Sequence, residues 1–313
     1  MRRYRDAAIF LALSAIWGTA FMVTKAGLDH LPPALFAALR FDLAAALLFG
    51  YVAATGARWR PRTADDAAYV LAGGALAIGG HHAFLFAGQQ HVSSAVAAVL
   101  LGLVPVITPA LTRLFSTGER LSPLGVAGVA LGFVGVVVIA DPDPTNLLSS
   151  DVRGVALVLA AAVAFAVGAV ATYSREPSLP LVSTQAWMMA IGALLLHATS
   201  LALPTEPLSD VTWAIDAVAA VAYLGVVAGA LGFLTYFHLL ERVGPIEMSF
   251  IEYVIPIFAA LAGWLALGET VESTTVVGFL VILVGFALIK RRALAAELAR
   301  FRRDATSVES GGD

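Results

Sequence analysis

The chain has 313 residues, of which 59% are hydrophobic and 13% charged, with a net charge of −3. A soluble domain carries about 25% charged residues; a fold of this size with half that share could not cover its surface with polar groups, so this is an integral membrane protein. The small negative charge offers no basic field to nucleic acid, and the absence of cysteine excludes disulfides, thiolate metal sites and cysteine nucleophiles.

A membrane helix needs about 20 mostly apolar residues. Ten such stretches follow in chain order, at 7–27, 33–55, 67–87, 92–114, 122–140, 154–173, 180–203, 215–238, 245–267 and 273–290. The expected fold is an all-α integral membrane protein of ten transmembrane helices joined by short connections. The first span follows Met1-Arg2-Arg3-Tyr4-Arg5, which reads like the basic start of a signal peptide. Its apolar run is of full span length and no small-x-small cleavage site follows, so an uncleaved first helix is expected.

Ten spans put both termini on one side. That side collects sixteen of the nineteen basic residues, the other receives Lys25 and Arg153, and Arg40 lies inside span 2. Such a bias places both termini in the cytoplasm, for a multi-pass protein of the cytoplasmic membrane. Trp59, Trp213 and Trp264 fall near span ends, where aromatic belts form.

Ionisable groups inside a span are costly and face a cavity or a partner. Span 2 carries Arg40 and Asp42, span 3 His81 and His82, span 7 His197, and span 9 Glu247 and Glu252. A rise of about 1.5 Å per residue sets Arg40, His81 and His82 about 10 Å below the same outer face, so an Arg-His cluster is expected there. Asp42, about 200° around the helix from Arg40, must serve a different neighbour. Glu252 lies about 10 Å from the cytoplasmic face and one turn before Pro256, whose missing N–H frees a backbone carbonyl. A carboxylate there suits a substrate ammonium or a carried proton, whereas Glu247, near the span's start, can snorkel to water. Trp17 and Trp187 are expected deep in their spans, filling space or stacking on substrate. His197 and His238 read as satisfied histidines, and the Gly128/Gly132 and Gly225/Gly229 pairs as close helix contacts.

The chain also repeats itself. Val104-Pro105-Val106, Gly118-Glu119, Gly128 and Gly135 match Ile255-Pro256-Ile257, Gly268-Glu269, Gly278 and Gly285 at an offset of 150 or 151. More weakly, Trp17 aligns with Phe165 and Pro32 with Pro180 at an offset of 148. Five spans per copy invert the second copy in the membrane, a construction secondary transporters use to expose one midplane site alternately to each side. The expected division is a first repeat at 1–145, a second at 146–292 and a charged cytoplasmic tail at 293–313.

With its paired Pro…Gly-Glu pattern and Trp17-Gly18 in the first helix, the sequence resembles the EamA-like branch of the drug/metabolite transporter superfamily. The resemblance implies a central cavity and transport of small polar metabolites, often efflux of amino acids or drugs. The pathway candidates read from the residues themselves are Arg40, His81, His82, Glu252, Trp17 and Glu247.

No His-Glu-x-x-His, Gly-x-Ser-x-Gly or Gly-Lys-Ser/Thr motif is present. His81 and His82, about 100° apart on a helix, are poorly placed to share an ion, so neither metal nor cofactor is expected. The expected partners are a small-molecule substrate and membrane lipid, with energy drawn from a proton or solute gradient. The alternatives are a membrane-embedded enzyme using intramembrane Glu and His as acid and base, or a structural or sensory membrane protein.

Overall fold

The computed structural model describes residues 2–115, 122–142, 149–173, 175–243, 248 and 250–309, and among them helix is the only regular element. In chain order the spans are α1 (Arg2–Gly27), α2 (Pro33–Thr55), α3 (Ala64–Gln89), α4 (Ser94–Leu101 continued by Val104–Phe115), α5 (Pro123–Ala140), α6 (Ser150–Tyr173), α7 (Leu181–Ala202), α8 (Ile215–Ala222 continued to Val243), α9 (Ile251–Leu267) and α10 (Ser273–Glu309). Nine are long and apolar enough to cross a membrane, and α9, at 17 residues, is shorter. Among the described residues they make nine to ten apolar membrane-spanning helices.

Local chemistry explains where they start and stop. Ser93 and Ser122 cap α4 and α5 by accepting hydrogen bonds from the amides of Val96 and Gly125. Thr63 and Asp66 form a reciprocal capping box at the start of α3. Gly56 and Gly268, at φ of 65° and 67°, end α2 and α9 in the left-handed conformation that glycine adopts without strain. α4 breaks at residues 102–103, where Pro105 has no N–H for the Leu101 carbonyl. α10 does not stop at the membrane boundary: the helix continues through the basic segment to Glu309.

Contacts between connections establish the alternation of the spans. On the face where α1 begins (the near face), Asp6 pairs with Arg242 at the end of α8, Arg58 donates to Ser178, and Arg291 of α10 donates to Ser122 before α5. On the opposite, far face, Lys25 at the end of α1 donates to the carbonyls of Gln89, Gln90 and Val92, and Thr212 donates to His30. The α3–α4 connection also meets the first turn of α6 there, since a Cβ on Gly154 would lie 2.7 Å from that of His91.

The repeat is visible in the backbone. α3 is π-helical over Gly73–Gly80 and α8 over Tyr223–Leu231, starting 150 residues apart. Such segments leave backbone groups for other partners and frequently mark functional sites. Glycines let the spans close up: added Cβ atoms on Gly128 and Gly285 would sit 2.5 and 2.6 Å from each other's carbonyl oxygens, where α5 crosses α10. Gly225 likewise abuts the Arg40 carbonyl and Leu43, and Gly229 meets Ala44. Both expected glycine pairs are therefore helix contacts.

Three carboxylates clasp helix starts belonging to the other repeat. Both oxygens of Glu206, in the α7–α8 connection, accept from the Ala34 amide at 3.0–3.1 Å. Asp66, entering α3, accepts from the amides of Ser178 and Leu179 at 2.7 and 3.1 Å, just before α7. Glu269, in the α9–α10 connection, accepts from Ser94 at the start of α4 at 3.0–3.1 Å. A carboxylate at a helix N-terminus satisfies orphan donors and complements the dipole. Glu119, the repeat mate of Glu269, lies outside the described residues.

Candidate functional site

A cavity of about 610 Å³ lies where the two repeats meet. Matched faces of matched helices build it. α1 contributes Trp17, Ala20, Phe21 and Thr24, and α6 contributes Phe165, Gly168, Ala169 and Thr172, each 148 residues further on. From α4 and α9 come Leu101 and Val104 against Glu252 and Ile255, at an offset of 151. Arg40 of α2 faces the same space as Met188 of α7, again 148 apart. The spacing of these residues, three and four apart, is that of one helix face.

Into mostly apolar walls the chain places few charges. Arg40 is buried, at 7% exposure, and its guanidinium lies 4.7 Å from the Phe41 ring centre and 5.8 Å from that of Phe86. Its Nε has no hydrogen-bond partner, and no carboxylate pairs with it among the described residues. Aromatic faces return about 2 kcal/mol or somewhat more to a desolvated cation, short of the several kcal/mol that burying one unpaired costs. The guanidinium is thus a buried cation for which no carboxylate of the described residues compensates.

His81 and His82 stand beside it. Nδ1–H of His81 donates to the Ala161 carbonyl at 2.9 Å, and Nδ1–H of His82 to the Ile78 carbonyl of the π-helical segment at 2.9 Å. Their rings meet edge to face at 4.5 Å, and His82 packs at 4.5 Å against Phe41. The structure thus brings Arg40, His81 and His82 together around Phe41 and Phe86. Among the described residues no three His, Asp or Glu are grouped to hold a metal ion.

Glu252 supplies the opposite charge. It lines the cavity from the first turn of α9, and no hydrogen bond or ion pair involves its carboxylate among the described residues. Tyr236 and Tyr253 are close enough to feel its charge. Trp17 lines the cavity too, but its indole N–H donates to the Ala228 carbonyl at 3.1 Å and its ring packs 5.3 Å from Tyr236. It is a fixed wall, held against the second π-helical segment. Glu247 lies outside the described residues.

Toward the far end the cavity is lined by Thr24, Phe86 and Gln89, all at most 2% exposed. Gln89 donates to the Phe21 carbonyl, while the Lys25 bonds and the Glu269 clasp tie the neighbouring connections together. At the near end Tyr69, Thr108 and Lys290 line it and are half-buried.

A model of the EamA-like transporter family matches this chain twice, over residues 6–140 and 152–291. The chain belongs to the EamA-like transporter family. It is 30% identical over 281 residues to an inner-membrane transporter of Escherichia coli strain K12, covering 85% of this chain and 88% of that one. It is 29% identical over 291 residues to a Salmonella typhimurium protein named "Probable amino-acid metabolite efflux pump", covering 90% and 93% of the two chains. A crystal structure 24% identical to it shares the fold, with a TM-score of 0.62 over 93% of this chain and 99% of that one. The chain is thus a multi-pass membrane transporter rather than an enzyme.

Within this EamA-like transporter two expectations need correction or addition. Trp187 is not deep: its indole N–H donates to the Trp59 carbonyl at 2.6 Å and the two rings stack at 6.1 Å, because the α2–α3 connection folds over the start of α7. Lys290, counted by sequence with the cytoplasmic basic residues, lines the cavity. Neither hydropathy nor charge signals that role, since a lysine at a span end reads as an interfacial anchor. The π-helical segments carry one signal, the Gly79 and Gly229 pair at the repeat's own offset of 150.

Proposed function

We propose that this chain is a secondary transporter that moves small polar metabolites, amino acids and related compounds, out of the cell by alternating access. The observation that carries this reading is the cavity at the repeat interface, where buried Arg40 and Glu252 have no ion-pair partner among the described residues. In it, Arg40, oriented by Phe41 and Phe86, takes a substrate carboxylate, and Glu252 takes an ammonium group or a coupling proton. His81 and His82 fix the aromatic floor beneath Arg40, and Trp17 walls the opposite side. Glu247, at the start of span 9, belongs to the same pathway as a near-face carboxylate.

The repeats divide at about residue 145, and both termini and the near face are cytoplasmic. The basic residues gathered there support this orientation. The described state is then open toward the cytoplasm, with its outer end shut by Lys25, Gln89 and Glu269. Transport exchanges the conformations of the two halves and is driven by a proton or solute gradient. The name of the Salmonella typhimurium relative supports an amino-acid cargo and outward direction.

The test is a solute-flux screen in proteoliposomes, with and without an imposed pH gradient. Saturable flux of zwitterionic metabolites supports the reading. Turnover of a lipid or peptide with no solute flux would overturn it.

A further inference from the structure

The broken span α4 and the proline-bearing α9 meet at a seam whose oxygens the fold leaves unused. α4 enters from the far face, and its first half, Ser94–Leu101, is eight residues or about 12 Å long, so it ends in mid-membrane. Beyond that end Leu103 donates to Leu100, Val106 and Ile107 donate to Leu103, and Pro105 has no N–H to give. The carbonyls of Leu101 and Gly102 accept no hydrogen bond among the described residues. Pro256, the repeat mate of Pro105, likewise deprives the Glu252 carbonyl of its donor within α9. That carbonyl lies 3.7 Å from a Cβ built on Gly102, so the two backbones touch at the break. Tyr253 closes the seam: its hydroxyl is buried without a hydrogen-bond partner, and its Cε1, next to the hydroxyl-bearing carbon, is 3.8 Å from the same built Cβ. Leu101 and Glu252 both line the cavity, so the Glu252 carboxylate stands at the seam's mouth.

We infer that this seam binds a sodium ion. Backbone carbonyls freed at a helix break replace the water around a hard cation, and the C-terminal end of a half-helix adds the negative pole of its dipole. Three carbonyls, one hydroxyl and one carboxylate suit sodium; potassium takes whole rings of carbonyls. A single carboxylate balances a single positive charge where a surplus is costly, and the described residues group no three acidic or histidine ligands for a divalent ion. Leu101 and Tyr253 are 8% and 6% exposed, so the seam lies in the wall and not in the open cavity. A bare ion fits there, whereas an ammonium carrying a substrate's carbon skeleton stays in the cavity. A proton on Glu252 gives a donor to one carbonyl only. Since α4 belongs to the first repeat and α9 to the second, the ion bridges the halves. Its use as the coupling ion rests on the transport reading; its binding does not.

The experiment measures sodium binding itself, without flux, on the full chain in lipid nanodiscs at constant ionic strength. Radioactive sodium should bind saturably, and sodium chloride should raise Tm where potassium and choline chloride do not. Glu252→Gln is expected to abolish both effects. Pro105→Ala restores an N–H for the Leu101 carbonyl and leaves the carboxylate in place; it should weaken sodium binding about tenfold. Tyr253→Phe should weaken it about threefold, and these two variants decide the matter if Glu252→Gln does not fold. Absence of sodium binding, or binding unchanged in all three variants, overturns the inference. A response to pH alone overturns it too and leaves the transport reading standing. Sodium binding with no solute flux in proteoliposomes sustains the site and removes the transport reading.

Discussion

Where the first repeat presents Trp17 to the cavity, the second presents Phe165; opposite Arg40 stands Met188, and Glu252 has Leu101 as its mate. The scaffold is copied far more closely. Both halves carry a π-helical segment in their third helix, and Asp66 and Glu206 clasp each other's repeats at the start of the second. Duplication has kept whatever sets helix paths and has placed each cavity charge only once. On the proposed reading, the two inverted halves would undergo equivalent motions around a site with Arg40 on one wall and Glu252 on another.

Returning a charged position to its mate's residue is the sharpest way to probe that asymmetry. Glu252→Leu is expected to abolish flux, and Glu252→Gln to reduce it about 100-fold, the scale of losing a charge-assisted contact in a desolvated site; flux per folded molecule at equal expression checks both. Arg40→Met should weaken carboxylate-bearing substrates about 10-fold to 100-fold while leaving cationic solutes nearly unchanged, as competition for uptake into inverted vesicles would show. An equal loss for all solutes would make Arg40 a folding residue.

Smaller effects belong to the rim and the clasps. Lys290→Met should raise the KM of carboxylate-bearing substrates about threefold with kcat unchanged, because a half-buried cation is partly screened by water. Glu269→Gln keeps the side chain's shape and one of its two acceptor oxygens but loses its charge at the α4 N-terminus, a loss of about 1 kcal/mol. The expected result is a modest fall in Tm and faster opening of the far end. Trp17→Phe, which installs its mate's ring, should cost least, with flux falling less than about threefold, since only the bond to Ala228 is lost.

Hydropathy revealed the spans because each must cross lipid, and the offsets of 148 to 151 revealed their pairing. Depth arithmetic brought Arg40 level with His81 and His82 because both counts run from the far face along regular α-helix, Pro33 to Arg40 in α2 and Gln89 back to His81 in α3, beyond its π-helical segment. It could not foresee that Arg40 finds aromatic faces rather than a carboxylate, since Phe41 and Phe86 look like ordinary core residues. Counting misplaced Trp187 because depth along a helix says nothing of a connection folding over its end. The Asp42–His197 pair, 2.7 Å apart between α2 and α7, was half legible: the helical angle excluded a partner shared with Arg40 but did not identify α7. The π-helical segments lack a hydropathy signature, since an extra residue per turn leaves an all-apolar stretch all-apolar.

Thr24 near the end of α1 and Thr172 near the end of α6 are mates that line the cavity toward its far and near ends. Placed singly in this cysteine-free chain, Thr24→Cys and Thr172→Cys report on the two ends separately. The decisive measurement is the rate at which a membrane-impermeant thiol reagent modifies each, with and without substrate and in the Glu269→Gln background. Alternating access predicts opposed responses: Glu269→Gln speeds modification of Thr24→Cys from the far side and slows that of Thr172→Cys from the near side. Full and simultaneous reactivity at both positions would describe an open pore and contradict alternating access.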